Sequence, residues 1–554
     1  MAVPYDLVVI GGGAAGLTVA SVAAQLQAKV ALIERDRLGG DCLWFGCVPS
    51  KALIEVSRRA WAARHSQRFG LHAEGLRVDF PQVLEWVHHA VAAVQPHDSP
   101  ERFRDLGVEV LTGEGRFVDR QTVQVGDRRL RARAFAIATG SRPRIPDIPG
   151  LIQAGFLTNE QVFSLPECPQ NLIVVGGGPV GCELGQALSR LGAHVTILSA
   201  GDRLLPAADP EVSALLAERL RAEGIDVVLR ARAERVATDG PDKVVTVGDH
   251  TYRGDALLVA TGRVPNLESL DLAIAGVAHT AQGIRVNRGL QTTNPRIFAA
   301  GDAIGPPFFT HAAGQEAAIL VQNALLPRPS WLQTPIDYRV LPWAVFTDPE
   351  VAAVGLTEPA ARDRYPDVQV TVQPLSAVDR AQAAGQTVGF AKILHRPNGQ
   401  IVGAHWIGEA AGELLAEGVL AMGNRLPLAR LGASMPTPPS PKSTAKRPSK
   451  PVATGTNKKP GWRPVSTICL PVSAVGPKTP PSLGFRQSPL PGSWDCRRRE
   501  RELDGADLLD DLGSFSRKCI LGKLRKKKTP WLYQRRKPPR QKRPSAKPCG
   551  NANR

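Results

Sequence analysis

Two cysteines five positions apart are the residues of this sequence best suited to redox chemistry. Cys42 and Cys47 lie in the segment GGDCLWFGCVPSK, residues 39–51. On a helical stretch, cysteines at this spacing can meet across one turn and cycle between a disulfide and a dithiol by thiolate exchange. A zinc site is not predicted, because no second pair of Cys or His residues has the required ligand spacing. The segment therefore predicts a redox-active pair without a bound metal.

Two glycine triplets predict two dinucleotide sites in the same chain. Each triplet follows a short apolar run (6–10 and 171–175) and opens a strand–helix–strand pattern. Glycines at this spacing allow a tight turn and let backbone N–H groups approach a pyrophosphate at a helix N-terminus. One triplet alone is a weak signal, but two of them indicate electron transfer between a flavin and a nicotinamide. The glycines are Gly11, Gly13 and Gly16 in the first unit and Gly176, Gly178 and Gly181 in the second.

The residue that ends the second strand differs between the two units. Glu34, 18 residues after Gly16, is placed to accept a hydrogen bond from a ribose 2′-OH, which suits the adenosine of FAD. Ser199 occupies the matching place in the second unit and does not repel a 2′-phosphate. Arg203 is close enough in sequence to bind such a phosphate, or it is a solvated loop residue. The pattern favours NADPH and leaves NADH open.

The cysteine segment resembles the active-site helix of the class I pyridine nucleotide-disulfide oxidoreductases. This family includes dihydrolipoyl dehydrogenase, glutathione reductase and mercuric reductase. The resemblance implies that Cys42 attacks the acceptor and that Cys47 makes a charge-transfer contact with the flavin. It also implies that Lys51 lies near the flavin N5 and that Glu183 is its partner, although both could be plain surface charges. The segment departs from the commonest sequence of the family at Asp41, Trp44 and Phe45. At these positions it is most similar to mercuric-reductase-like members.

Further segments resemble other landmarks of the family. Thr139 and Gly140 (within 138–140) and Gly262 (within 260–266) resemble the crossings between the FAD and nucleotide domains. Asp302 ends the segment IFAAGD, and the family's aspartate at this place binds the ribityl chain of the flavin. The resemblance covers about residues 4–435 and then stops.

The predicted fold is α/β, with two Rossmann-like dinucleotide-binding domains, an α+β dimerisation domain and a disordered C-terminal tail. We expect five segments: the first part of the FAD domain (1–150), the NAD(P) domain (151–270), the second part of the FAD domain (271–335), an incomplete dimerisation domain (336–435) and the tail (436–554).

The tail explains the net charge of +18 for the whole chain. Residues 436–554 hold 28 Lys or Arg and 7 Asp or Glu, so that 41 basic and 44 acidic residues remain in the body. The tail also carries 19 of the 47 prolines and little apolar patterning, which is typical of disorder. A basic tail can bind nucleic acid or an anionic membrane, but the body contains no nucleic-acid-binding motif.

A shifted reading frame is the explanation of the tail that we favour. In the family, the dimerisation domain continues into His-Pro-Thr-x-x-Glu, which supplies an acid/base to the partner subunit. Here Met435 is followed by PTPPSPK, with neither residue. Loss of one base from a hypothetical ancestor encoding MPYPTLSE reproduces residues 435–442, which shows compatibility with a frameshift.

The function expected from the sequence is that of an FAD-dependent NAD(P)H:disulfide oxidoreductase acting through the Cys42–Cys47 disulfide on an unknown small-molecule or disulfide acceptor. A mercuric-ion reductase is one alternative, and a catalytically incomplete flavoprotein with a macromolecule-binding tail is another. A homodimer is expected if the C-terminus is complete. We expect a cytoplasmic protein, because the first apolar run leads directly into glycines and no uncharged run approaches the ~20 residues of a membrane helix.

Overall fold

The first sheet grows from the apolar run that precedes the first glycine triplet. Leu7, Val8 and Val9 have no exposed surface, because their strand lies between parallel neighbours and is covered on both faces. The computed structural model describes residues 5–73, 75–326 and 329–431. The strands of this sheet, in spatial order, are Glu109–Thr112, Val30–Glu34, Tyr5–Ile10, Arg128–Ile137, Thr122–Val125 and Gly115–Asp119, with Ile297–Ala299 also paired to Arg128–Ile137.

A second parallel sheet is built from the second glycine unit. Leu172 lies opposite Val195 on one side and Ala256 on the other, and all three strands run in the same direction. The strands, in spatial order, are Asp226–Leu229, His194–Ser199, Asn171–Val175 and Ala256–Val259. An antiparallel three-stranded sheet accompanies it, formed by Arg235–Asp239, Asp242–Val247 and His250–Gly254.

Short ladders and a third sheet complete the strands. Ser141–Pro143 pairs with Arg263–Pro265 where the chain passes between the first two sheets, and His279–Thr280 pairs with Gly283–Ile284. The third sheet is antiparallel, in the order Pro342–Val345, Glu350–Gly355, Ile401–Gly408, Phe390–His395 and Gln369–Pro374.

Helices cover the sheets and pack against one another. Thr310–Leu325 packs on Ala14–Gln25, and Cys47–Arg64 packs on both Phe80–Val94 and Pro179–Leu191. The other α-helices are Gly40–Trp44, Pro100–Asp105, Leu151–Ala154, Asn159–Val162, Pro210–Ala222, Leu272–Ala275, Glu358–Arg364, Asp379–Ala384 and Ala411–Gly423.

A buried ion cluster joins the third sheet to the start of the helix Pro210–Ala222. The Nζ atom of Lys392 lies 2.9 Å from Oδ1 of Asp209 and 2.5 Å from Oε2 of Glu358. Lys392 and Asp209 are almost completely buried, so these pairs are shielded from solvent. Removing one partner of such a pair would leave an uncompensated buried charge, which costs about 3–5 kcal/mol.

The predicted α/β fold is confirmed, and the strands of both glycine units lie within one residue of their predicted positions. One feature is absent from the prediction: the helical stretch that carries the two cysteines is broken at Phe45 and Gly46. The predicted disordered tail, 436–554, and the shifted-frame hypothesis lie outside the described residues. Within those residues, no helix combines the length and apolar character needed to cross a bilayer.

Candidate active site

The first glycine triplet forms a tight cradle at the carboxyl end of its strand. Gly11 has φ +106°, and a Cβ there would lie 2.2 Å from the Ala138 carbonyl oxygen. A Cβ on Gly16 would lie 1.8 Å from the carbonyl oxygen of Gly11, so the helix can approach the turn only without a side chain. Gly13 is less crowded, because a Cβ there would make only an ordinary van der Waals contact, 3.7 Å from the Cα atom of Gly40. A phosphate can therefore approach the backbone at Gly13.

The second triplet repeats this arrangement. A Cβ on Gly176 would lie 2.2 Å from the Ala260 carbonyl oxygen, and one on Gly181 would lie 2.0 Å from the carbonyl oxygen of Gly176. No atom lies within 4 Å of the corresponding position on Gly178. The glycines thus have the same roles in both turns: the outer two allow close packing, and the middle one leaves the backbone accessible to a ligand.

A single cavity of about 1490 Å³ connects the two turns. Gly13 and Gly178 both line it, together with residues from the carboxyl ends of the strands in both parallel sheets. Pockets for one drug-sized ligand usually measure about 300–1,000 Å³, so this volume fits more than one such molecule. The residues present therefore fit two dinucleotides, FAD at the first turn and a nicotinamide dinucleotide at the second.

The predicted crossing residues also lie on this cavity. The Thr139 hydroxyl donates to the Asn266 carbonyl oxygen at 2.7 Å, which ties the two strand ends together. Gly140 and Gly262 have φ of +67° and +116°, and no atom would meet a side chain at either position. Both line the cavity.

Glu34 and Ser199 lie at the ends of their strands, as the sequence predicted, and Arg232 lines the cavity near Ser199. Glu34 accepts from the Gly12 backbone N–H at 2.6 Å and lines the cavity near the first turn. Ser199 and Arg203 line it near the second turn, and Nε of Arg203 is buried without a hydrogen-bond partner among the described residues. Arg232 lines the same region.

Sequence reasoning missed Arg232 because the strand that precedes it carries no glycine signature. Arg232 follows Asp226–Leu229, which pairs in parallel with His194–Ser199. Carboxyl ends of neighbouring parallel strands meet at one edge, so recognition of this third strand was the only signal that could have found the residue.

The break in the cysteine helix gives the two thiols different positions. Cys42 lies within Gly40–Trp44, whereas Cys47 is the first residue of Cys47–Arg64. The side-chain amide of Asn159 donates to the Phe45 carbonyl oxygen at 3.0 Å and so holds the break in place. Both cysteines are free thiols, and each shifts the acidity of the other. The two cysteines thus lie in two consecutive helices and not across one turn of a single helix, as the spacing had predicted.

The pair is strongly asymmetric in acidity. The hydrogen bond from Cys42 lowers the pKa of Cys47 to about 6, helped by the Thr310 hydroxyl and the charge of Lys51 and opposed by burial. The same bond, with burial, raises the pKa of Cys42 well above its usual range. The position of Cys47 at a helix N-terminus favours its anion as well. These shifts favour the thiolate at Cys47 and the neutral thiol at Cys42.

Lys51 and Glu183 form an ion pair beside the cysteines. The Lys51 Nζ atom lies 2.8 Å from Oε2 of Glu183, whose side chain is only 8% exposed. The other carboxylate oxygen accepts from the Phe346 backbone N–H at 2.8 Å. The Lys51 ammonium also lies 4.6 Å from the centre of the Phe346 ring. The alternative of two unrelated surface charges is wrong for this pair.

Asp302 lies within a small polar network, in the 3₁₀ helix Gly301–Ile304 that follows the strand Ile297–Ala299. Its carboxylate accepts from the Ser141 hydroxyl and lies 3.7 Å from Nε of Arg263. Arg263 also reaches Asp41, at 3.3 Å, and donates to the Ser141 hydroxyl at 2.7 Å. Burial raises the pKa of Asp302, while Ser141 and Arg263 oppose that effect.

A second, smaller cavity of about 250 Å³ adjoins the cysteine pair. Cys42 and Thr310 line both cavities, whereas Cys47 lines only the larger one. No sequence pattern indicates Thr310, because it lies 263 positions from Cys47 and only the fold brings its hydroxyl to 3.2 Å from the sulfur.

Replacing Thr310 by valine tests the hydroxyl's contribution to the Cys47 thiolate. We expect the ionisation constant of Cys47 to fall roughly tenfold, because one hydrogen bond to a charged group is lost. In the wild-type protein, alkylation of Cys47 should decline as the pH falls through about 6, where the thiolate is protonated. In the variant this midpoint should move upward, as measured by iodoacetamide labelling and peptide mass analysis.

Thr18→Val is the matched control for that measurement, because the Thr18 hydroxyl donates to the Ala14 carbonyl oxygen and not to either cysteine. An unchanged midpoint in Thr310→Val would contradict the assigned contact.

Comparison with known proteins identifies the family to which this site belongs. The model of the pyridine nucleotide-disulphide oxidoreductases matches residues 5–317, and the model of their dimerisation domain matches residues 341–447. The chain belongs to the pyridine nucleotide-disulphide oxidoreductase family. It is an FAD-dependent oxidoreductase that acts on NAD(P)H and carries a redox-active disulfide.

Individual relatives agree with this assignment. The chain is 35% identical to a mercuric reductase of Staphylococcus aureus over 424 residues, which are 76% of this chain and 77% of that relative. It is 36% identical to a dihydrolipoyl dehydrogenase of Geobacillus stearothermophilus over 432 residues, or 76% and 90% of the two chains. The solved Cu(II) complex of the HOCl-induced flavoprotein disulfide reductase RclA from Escherichia coli is similar with a TM-score of 0.70, 28% identity, and coverage of 79% of this chain and 97% of that one.

Proposed function

We propose that this chain uses Cys42 and Cys47 to pass electrons derived from NAD(P)H to a small disulfide acceptor. The observation that carries the proposal is that Cys42 lines both cavities while Cys47 lines only the large one. An acceptor in the small cavity therefore meets Cys42, and a cofactor in the large cavity meets Cys47.

The two glycine turns indicate which residues would hold the cofactors. The turn at Gly11, Gly13 and Gly16, with Glu34 and Asp302, would hold FAD, and the turn at Gly176, Gly178 and Gly181 would hold the nicotinamide dinucleotide. When bound, these cofactors supply hydride and two-electron chemistry, which side chains lack. The Lys51 ammonium, fixed by Glu183, places a positive charge beside the Cys47 thiolate.

The acceptor step needs only the two cysteines and the acceptor. The Cys42 thiol gives its proton to Cys47 and its sulfur attacks one acceptor sulfur, so that a mixed disulfide forms and the other acceptor sulfur leaves as a thiolate. Cys47 then loses its proton and displaces the second acceptor sulfur, and the Cys42–Cys47 disulfide forms. Two electrons pass to the acceptor. One of its thiolates takes up the single proton of the cysteine pair, and the other takes up a proton from solvent.

The other candidates have less support. A mercuric-ion reductase is not favoured by the donor set, because the described residues hold no cluster of three or more His, Cys, Asp or Glu side chains arranged to bind a metal ion. A catalytically incomplete flavoprotein would still have the cradles, but it would not need two cysteines of opposite acidity in contact.

The proposal extends to the organisation of the chain. We assign 1–150 and 271–335 to the FAD domain, 151–270 to the NAD(P) domain and 336–435 to the dimerisation domain. A cytoplasmic homodimer is part of the proposal, supported by the match to the family's dimerisation domain.

Differential labelling tests the central claim. The purified protein, oxidised and then incubated anaerobically with NADPH, should gain iodoacetamide label at Cys42 and Cys47, as read by peptide mass analysis. Labelling of Cys168, which is partly buried away from the pair, serves as the internal control. If NADPH adds no label at either cysteine, the proposed function is wrong.

NADPH is the nicotinamide that we propose, since Ser199, Arg203 and Arg232 line one end of the cavity without a carboxylate at the Ser199 position. Ser199→Glu should lower kcat/KM for NADPH by roughly tenfold or more through charge repulsion. The same change should affect NADH less, because the new carboxylate can accept from a ribose hydroxyl. Equal effects on both cofactors in steady-state assays would contradict the assignment.

A further inference from the structure

The small cavity beside Cys42 has a mainly apolar lining. Its 250 Å³ is less than the roughly 300–1,000 Å³ of a pocket for a drug-sized ligand, so it fits only a small molecule or the end of one. Apart from Cys42, Asp98 is the one ionisable side chain among the described residues that line it. The remaining lining residues are Ala14, Leu17, Thr18, Gly39, Leu43, Val48, Val94, Thr310 and Gly314.

Asp98 supplies the one carboxylate among the described residues that line this cavity. It is partly buried, and the neighbouring lining residue Val94 is exposed. Burial raises the pKa of Asp98, while Arg102 and His97 lower it. The Arg102 guanidinium donates to the His97 carbonyl oxygen, and neither residue lines the cavity. The carboxylate therefore presents a negative charge to a molecule entering toward Cys42, while the charges of Arg102 and His97 act on it from outside the described lining of the cavity.

We propose that Asp98 selects the acceptor by charge, so that small neutral or cationic disulfides reach Cys42 in preference to anionic ones. This inference rests on the proposed function. A carboxylate in an apolar cavity acts over several ångströms, because low-dielectric walls concentrate its field. A like charge on the acceptor is repelled and an opposite charge is attracted, which separates substrates of the same shape.

Three disulfides of matched length give the test. Cystamine, 2-hydroxyethyl disulfide and 3,3′-dithiodipropionate place an ammonium, a hydroxyl or a carboxylate at the same distance from the disulfide sulfurs. With the full-length holoenzyme and saturating NADPH, kcat/KM should decrease in that order, with cystamine exceeding dithiodipropionate by roughly tenfold or more. Asp98→Asn should reduce this ratio by about tenfold, and Asp98→Glu should preserve the order.

Glu101→Gln is the matched control. Glu101 lies three residues after Asp98 in the sequence and carries the same charge, but its side chain is exposed and lines neither cavity. It should leave the ratio unchanged. An unchanged ratio in Asp98→Asn, or an equal change in Glu101→Gln, would overturn the inference. The inference would also be overturned if NADPH exposes Cys42 and Cys47 to label but the protein reduces none of the three disulfides. Failure of NADPH to expose the two cysteines would instead overturn the proposed function.

Discussion

Replacing Cys47 by serine should abolish the long-wavelength absorbance band that NADPH or dithionite produces in the yellow wild-type protein. The band requires a thiolate donor beside the flavin, and Cys47, with its pKa lowered to about 6, is the thiolate of the pair. Reduction of disulfide acceptors should fall more than a thousandfold, since the intramolecular disulfide can no longer form. A spectrophotometric titration and a steady-state assay measure the two effects.

Cys42→Ser separates the roles of the two sulfurs. This variant should show the band before any reductant is added, because Cys47 cannot form a disulfide and remains a lone thiolate. Its acceptor turnover should be lost as in Cys47→Ser. Cys182→Ser is a matched control, since Cys182 is fully buried and lines neither cavity. If the spectra of both site variants equal that of the wild type, the assignment of the redox pair is wrong.

Replacing Lys51 by methionine should slow the loss of flavin absorbance on mixing with NADPH by roughly a hundredfold, because a preorganised positive charge is removed from the site. The pKa of Cys47 should rise, since the Lys51 charge helps to lower it. The variant also leaves the largely buried Glu183 carboxylate without its cation, so the free energy of unfolding should fall by about 1–3 kcal/mol. Stopped-flow absorbance and urea titration measure these effects.

Two further variants define the cause. Lys51→Arg retains the charge and should lose less of the rate than Lys51→Met. Lys243→Met removes a lysine that lines neither cavity and should leave the rate unchanged. A wild-type rate in Lys51→Met would show that the ion pair with Glu183 is structural only.

Local sequence was sufficient for those parts of the site that depend on backbone geometry. The glycine triplets could be recognised because a close approach to Ala138 or Ala260 excludes any side chain, which restricts the residue type at fixed spacing. The buried strands could be recognised because parallel strands covered on both faces are continuously apolar. Glu34 and Ser199 then follow from their position at strand ends, and Asp302 from its place in the 3₁₀ helix just after a strand, where the carboxyl edge of a sheet faces a ligand.

The resemblance to a family added what spacing alone could not supply. It assigned Glu183 to Lys51, a pair 132 positions apart that no local pattern connects, and the 2.8 Å distance agrees with it. It did not predict the interruption of the cysteine helix at Phe45 and Gly46, which depends on a hydrogen bond from Asn159, 114 positions away from Phe45.

By itself, the sequence determined the fold class and the two glycine cradles and predicted the redox pair, because each depends on residue types at short, fixed separations. Only the tertiary structure decided that Thr310 contacts Cys47, that Arg232 joins Ser199 and Arg203, and that Asp98 shares a cavity with Cys42. These side chains come from separate helices and loops. Their proximity follows from how those elements pack, which no single segment of the chain encodes.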